Sequence, residues 1–364
     1  MTDPARAAVL REVGGPLRVE DVELDPPGPG EVRVRIAAAG VCHSDLSLAR
    51  GTLRTPAVPV VLGHEGAGYV TTVGPEVTAF AAGDPVVLNW SPACGRCWFC
   101  AHGEPYLCER SDEASRRPYG TLADRTPVYP GLGTGAFATE TVVGQNACLP
   151  LPPDIPMEQA AVLGCAVLTG VGAVLNSARV RAGESVVVFG LGGVGLSALQ
   201  GARLAGADPI VAVDPAEARW ELARRLGATD VLPPGRELGR SVRALTGGRG
   251  ADHAIECVGR GETIRAAWSV TRRGGRATIV GMGGSDDQVA FSALEVAFFA
   301  RTLAGCMYGS SDPAADLPVL IEHVRAGRLD LAALVTGTLP LDAVEDAFAR
   351  MEARQGARTV LIPR

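Results

Sequence analysis

Three rhythms of hydrophobic and polar positions follow one another along this chain. Up to about residue 150, short apolar runs alternate with polar residues and are cut by Gly and Pro. In EVRVRIAAAG, Val32, Val34 and Ile36 fall on one face, and GAGYVTTVG and DPVVLNW also read as strands. From about residue 185 strands alternate with helices: SVVVFG, a helix through LSALQGARLAGA, IVAVD, a helix through AEARWELARRLGA, and a third strand from TDVL. A βαβαβ order of this kind calls for a parallel sheet. A second half follows in ADHAIECVG, a helix through ETIRAAWSV, and GGRATIVGM. After about residue 307 the texture returns to mixed helix and loop and ends in the β-like RTVLIP. The helical spacing in LEVAFFARTL reads as core or interface, ERSDEASRRPYG as a surface loop, and no fixed-period repeat is present. The fold class is therefore α/β: a doubly wound parallel sheet beside a β-rich domain that the C-terminal segment rejoins.

Composition narrows the function classes. A length of 364 residues suits about two domains, and 47% apolar with 20% charged residues suits a globular chain. The net charge of -6 offers no overall attraction for a phosphate backbone, so a nucleic-acid partner is not expected. All 34 cationic side chains are Arg. Without lysine, Schiff-base chemistry, a P-loop and the Tyr-Lys pair of short-chain dehydrogenases are excluded. The first residues lack the pattern of a secretory signal, and the most apolar stretch, Ala160 to Leu175, is short of the roughly 20 residues of a membrane span. A cytoplasmic protein without a membrane partner is expected. Nine Cys, four of them crowded between positions 94 and 108, then point to metal rather than disulfides.

Two motifs carry chemistry. GLGGVG follows the strand SVVVF and fits G-x-G-x-x-G at Gly190, Gly192 and Gly195, with Gly193 and Val194 inside the turn. Asp214 ends the next strand 19 residues after Gly195, the spacing of an acid that bonds adenosine ribose hydroxyls and repels a 2′-phosphate. NAD is expected over NADP. Arg219 lies either along the adenosine edge or on an exposed helix face. Cys94, Cys97, Cys100 and Cys108 form C-x2-C-x2-C-x7-C, which can close a tetrahedral shell around Zn(II) with no open position. The rival iron-sulfur reading shares the first two spacings, but the third differs and no Pro follows Cys108. Cys42, His64 and Cys165 are scattered; together they form a Cys2His set of the kind that leaves zinc a position for substrate.

GVCHSD, GHEGAG, the four-Cys segment, GCAVLTG, GLGGVG and Asp214 together make the chain resemble the zinc-dependent medium-chain alcohol dehydrogenases over nearly its whole length. The resemblance implies a GroES-like catalytic domain at 1–166 and 308–364 and a Rossmann coenzyme domain at 167–307, with the active site in the cleft between them. It implies two Zn(II) per chain, a catalytic one on Cys42, His64 and Cys165 and a structural one on Cys94, Cys97, Cys100 and Cys108. Asp45 would orient the His64 imidazole, Glu65 would be the acid behind the metal, and Ser44 would meet the substrate oxygen. His43 and Arg358 match positions that approach the coenzyme pyrophosphate. The implied reaction moves a hydride between a small-molecule alcohol, or an aldehyde or ketone in reverse, and NAD(H), in a homodimer or homotetramer. Ser47 stands where several members carry a proton-relay His, so the proton would leave through Ser44, the ribose and water, helped by His43.

LNW, GLGTGAFATETVV and MYGSSDPAADLP more loosely resemble the branch that oxidises thiol-formaldehyde adducts of glutathione or mycothiol, for which Arg116 and Arg117 would supply a cationic entrance. The reading from another class is a non-enzymatic zinc-binding interaction protein, which would hold one zinc and no coenzyme. Cys148, Cys257 and Cys306 read as core thiols, and His102, His253 and His323 as loop or packing residues.

Overall fold

The computed structural model describes residues 4–364. The chain forms two compact units. One contains the chain up to Cys165 with Asp312–Pro318 and Val335–Arg364; the other contains Ala166–Ser311 and Val319–Leu334.

The first unit is built from strands β1 (Ala5–Leu10), β2 (Leu17–Leu24), β3 (Glu31–Gly40), β4 (Val60–Val61), β5 (Glu65–Val73), β6 (Pro85–Leu88), β7 (Gly120–Leu122), β8 (Pro127–Pro130), β9 (Glu140–Gly144) and β10 (Cys148–Pro150). A closed barrel runs β1-β2-β7-β8-β4. Val32, Val34 and Ile36 are buried as their alternation predicts. Arg33, on the opposite face of β3, is buried as well, with Glu140 at 3.3 Å and the Leu24 carbonyl at 3.2 Å meeting its guanidinium. Phe137 and Phe348 meet edge-on in the core at 6.4 Å between centroids.

The second unit is a six-stranded sheet, parallel throughout, of β11 (Val186–Phe189), β12 (Ile210–Val213), β13 (Asp230–Leu232), β14 (Ala251–Glu256), β15 (Thr271–Ile279) and β16 (Thr302–Gly305), in the order β13-β12-β11-β14-β15-β16. Strands β11 and β12 are buried along their whole length, as both faces of a parallel sheet covered by helices require. The helix after β11 begins at Gly193, three residues before the expected start at Leu196, because the Gly turn itself supplies the first helical positions. An amphipathic helix at Leu238–Leu245 was not expected from the sequence.

The chain then returns to the first unit with β17 (Val335–Pro340) and β18 (Arg358–Ile362), completing a sheet in the order β10-β6-β5-β3-β18-β17, with β9 also on β3. The return differs from the expected boundary at 308. Residues 319–334 group with the parallel sheet because polar contacts fasten them to helix Gly193–Leu204: the Asp330 amide donates to Gln200 Oε1 at 2.7 Å and Arg203 to the Arg328 carbonyl at 2.7 Å. Such pairings leave no trace in local texture. Helix Ala293–Phe298, within the segment read as core or interface, buries none of its residues; Leu294 is 75% and Phe298 59% exposed. Among the described residues no single helix is long and apolar enough to cross a membrane.

Candidate active site and coenzyme site

The helix His43–Ala49 is entered from Cys42 in an extended conformation, and Asp45 at its third position reaches back to accept the Cys42 amide at 3.1 Å. This is a capping arrangement, and it fixes the backbone that carries the Cys42 thiol. The other Asp45 oxygen accepts the Gly63 amide at 3.0 Å and faces His64 Nδ1 at 2.9 Å. A carboxylate can only accept here, so Nδ1 carries a proton and Nε2 is the nitrogen left to a metal, which would displace any proton held there. Cys165 follows the turn Ala161–Gly164 in a non-helical conformation. Cys42, His64, Glu65 and Cys165 are all buried and bring one ligand atom each to within 4.8 Å of one another.

Charge within this cluster is finely poised. Hydrogen bonding to Cys165 brings the Cys42 thiol well below its ordinary pKa and drives Cys165 up in turn, so the two sulfurs share one proton. Burial opposes a charge on His64, yet Asp45 and Cys42 outweigh it and raise its pKa. Burial pushes the Glu65 carboxyl up to about 7 against the pull of Arg358. Arg358 Nη2 lies 3.1 Å from Glu65 Oε1 but off the donor axis, so neither Glu65 oxygen receives a directed hydrogen bond. Two sulfurs, an imidazole whose Nε2 is not taken by Asp45 and a carboxylate with unsatisfied oxygens fit a divalent cation. Arg358 donates its other arm to the Val41 carbonyl at 2.8 Å, so its charge is engaged at this cluster. His43 is exposed, with Nδ1 3.5 Å from Ser47 Oγ, and Ser44 Oγ stands 3.9 Å from Cys42 Sγ. Trp90, not singled out from the sequence, sets its ring edge-on to His64 at 6.0 Å between centroids. Its only sequence signal was the LNW tripeptide ahead of the four-Cys segment.

The four-Cys segment folds as expected of a thiolate cage. Cys94, Cys97, Cys100 and Cys108 have sulfurs within 4.8 Å of one another; Cys97 is 3.5 Å from Cys100 and 3.9 Å from Cys108. Bonds of about 2.3 Å to one tetrahedral ion set sulfurs about 3.8 Å apart. A four-iron cluster, the kind held by the bacterial C-x2-C-x2-C run, attaches each thiolate to a different iron and spreads them wider. Amides of Cys94 and Arg110 point at Cys108 Sγ and that of Cys97 at Cys94 Sγ. The Arg96 and Cys97 amides bring the Cys94 thiol down to about 6, whereas burial pushes Cys100 up to about 12.

In the second unit, Gly190 has φ +86° and opens the turn after β11. A Cβ on Gly195 would strike the Gly190 carbonyl, whereas a Cβ on Gly192 would meet nothing within 4 Å. The outer glycines are thus demanded by the turn and by helix-on-strand packing, and the middle one leaves its backbone open at the start of helix Gly193–Leu204. That is the cradle a dinucleotide pyrophosphate needs. Asp214 is buried; its oxygens accept the Leu191 amide at 2.7 Å and the Ala216 amide at 2.8 Å, and Arg219 Nη1 stands 3.7 Å away. Of the remaining residues, Cys148 and Cys306 are buried and Cys257 partly so, His102 stacks on Trp98, and His253 faces Glu184 at 2.9 Å.

Residues 28–153 match the alcohol dehydrogenase GroES-like domain and residues 193–325 the zinc-binding dehydrogenase family. S-(hydroxymethyl)glutathione dehydrogenases of Escherichia coli and of Synechocystis are each 37% identical over 98% of this chain and 99% of their own length. Among solved structures, an alcohol dehydrogenase zinc-binding domain protein from Burkholderia ambifaria has a TM-score of 0.92 at 33% identity, covering 98% of both chains. Benzyl alcohol dehydrogenase from Acinetobacter calcoaceticus has a TM-score of 0.92 at 28% identity over 100% of both. The chain belongs to the zinc-dependent medium-chain alcohol dehydrogenase family and is an oxidoreductase of that class.

Proposed function

We propose that this enzyme oxidises an alcohol, or reduces an aldehyde or ketone in reverse, with NAD as hydride acceptor and two Zn(II) per chain. The observation that carries the proposal is the convergence of Cys42, His64 and Cys165 with the imidazole oriented by Asp45. These three would hold the catalytic ion, and Cys94, Cys97, Cys100 and Cys108 a structural one. Zinc in the first set supplies a Lewis acid that lowers the pKa of an alcohol or polarises a carbonyl. Two thiolates and an imidazole would leave a net negative donor set, and the buried Arg358 guanidinium beside it offsets part of that charge. Ser44 would take the alcohol proton, and the contact between His43 and Ser47 on the same helix supports His43 as a helper in its release. The Gly190–Gly195 turn would bind the coenzyme pyrophosphate and Asp214 the adenosine ribose; its carboxylate, which a 2′-phosphate would have to approach, supports NAD over NADP.

A second reading, oxidation of an S-hydroxymethyl thiol adduct, is favoured by the names of the curated relatives. Arg116 and Arg117 are exposed and available to a charged conjugate, Arg116 being paired with Asp112. The exposed apolar residues of Ala293–Phe298 support assembly as a homodimer or homotetramer, and the dependence of both clusters on reduced thiols supports a cytoplasmic setting.

The test is a panel of primary, secondary, aromatic and thiol-adduct alcohols, followed by NADH absorbance with and without a chelator. Cys42→Ser should abolish turnover and leave NADH binding intact; wild-type rates in that variant would contradict the ligand assignment.

A further inference from the structure

Strands β12 and β13 lie on one side of β11, and β14 to β16 on the other. The sheet therefore reverses its order between β11 and β14, and a ligand of such a sheet binds outside the carboxyl ends of the strands at that reversal. Glu256 is the last residue of β14 and is fully buried. Its Oε1 accepts the Val258 amide at 2.8 Å, the Gly259 amide at 2.9 Å and the Thr263 hydroxyl at 2.8 Å, with Oε2 3.1 Å from the Gly259 amide. Its backbone carbonyl meanwhile takes the Val280 and Gly281 amides beyond β15.

One side chain thus ties the turn after β14 to the first turn of helix Gly261–Val270. The turn it holds touches both neighbouring loops. Val258, 40% exposed, packs so close to Gly190 that a Cβ there would come within 2.7 Å of its methyl, and a Cβ on Gly259 would strike the Gly281–Gly283 backbone. Burial raises the Glu256 pKa against the pull of these donors, so the site keeps an expensive group where an apolar residue would fill the same space.

We propose that Glu256 is a positioning residue of the coenzyme site: it fixes the Val258–Gly259 turn as the wall that sets the Gly190 loop for the dinucleotide. This rests on the coenzyme reading above. Removing the carboxylate leaves the Val258 and Gly259 amides without an acceptor, and the turn must move to find water.

The test titrates NADH into the zinc-loaded enzyme and its Glu256→Met and Glu256→Gln variants, well below each melting temperature. Glu256→Met should weaken NADH by about tenfold, with the KM for coenzyme rising in step, zinc content unchanged and the KM for alcohol unmoved. Glu256→Gln keeps an oxygen toward both amides and Thr263 and should stay within about threefold of the parent. Equal NADH affinity in all three chains overturns the proposal. Should Glu256→Met not fold, Thr263→Val removes one donor and should weaken NADH by about threefold, and unchanged binding there also overturns it. A parent enzyme that fails to bind NADH refutes the coenzyme reading instead.

Discussion

Asp45 Oδ1 lies 2.9 Å from His64 Nδ1, with both side chains almost wholly buried. The same carboxylate accepts the amides of Cys42 and Gly63, so one residue orients a sulfur-bearing backbone and an imidazole together. Replacement Asp45→Ala should weaken the catalytic ion by about 10- to 100-fold and leave the ion of the four-Cys cage in place. Metal analysis after dialysis against a graded chelator series checks this; loss of both ions together would contradict it.

Asp214 divides its carboxylate between the Leu191 and Ala216 amides and so presents a fixed negative charge at the end of β12. Asp214→Ala should lower the preference for NAD over NADP, read as a ratio of kcat/KM, by about tenfold or more. An unchanged ratio would show that the preference resides elsewhere.

Trp90 borders the cluster through its edge contact with His64. Trp90→Ala should open space beside the His64 imidazole and raise kcat/KM for benzyl alcohol relative to ethanol by about tenfold. A uniform loss across a graded series of alcohols would instead mean that the ring only supports the imidazole.

Asp252 provides a pH signature in the second unit. Burial resists its ionisation, but the Ser185 amide and hydroxyl and the Arg272 guanidinium outweigh burial and hold its pKa down to about 2, from 3.8. A carboxyl depressed in the folded state stabilises above its unfolded pKa and loses that contribution as pH falls through the folded value. Asp252→Asn should therefore be less stable at pH 7 by on the order of 1 kcal/mol, partial exposure having reduced the effect. Urea midpoints should converge with the parent only below about pH 4. A gap that persists unchanged to acid pH would rule out the carboxylate as its source.

The sequence made the local features legible. The turn at Gly190, Gly192 and Gly195 and the cage at Cys94 to Cys108 are each set by spacing within a short segment, so they could be read without the fold. Long-range pairings could not. Arg358 and Glu65 meet because β18 and β5 flank β3 in the same sheet, a pairing that nearly three hundred residues of separation hide in the sequence. Glu256 lacked any signal, since a buried acid at a strand end looks like any other until its donors are in place. The polar ties of Asp330 and Arg328 likewise hold 319–334 to the second unit, which their mixed helix-and-loop texture did not reveal.

The central claim, that two sulfurs and one imidazole grip a zinc ion in the first unit, is tested most directly by anomalous diffraction at the zinc absorption edge from metal-loaded crystals. Two peaks per chain are predicted, one within about 2.3 Å of Cys42 and Cys165 Sγ and about 2.1 Å of His64 Nε2, the other among Cys94, Cys97, Cys100 and Cys108. A peak at the four-Cys cage with none at Cys42, His64 and Cys165 would contradict it.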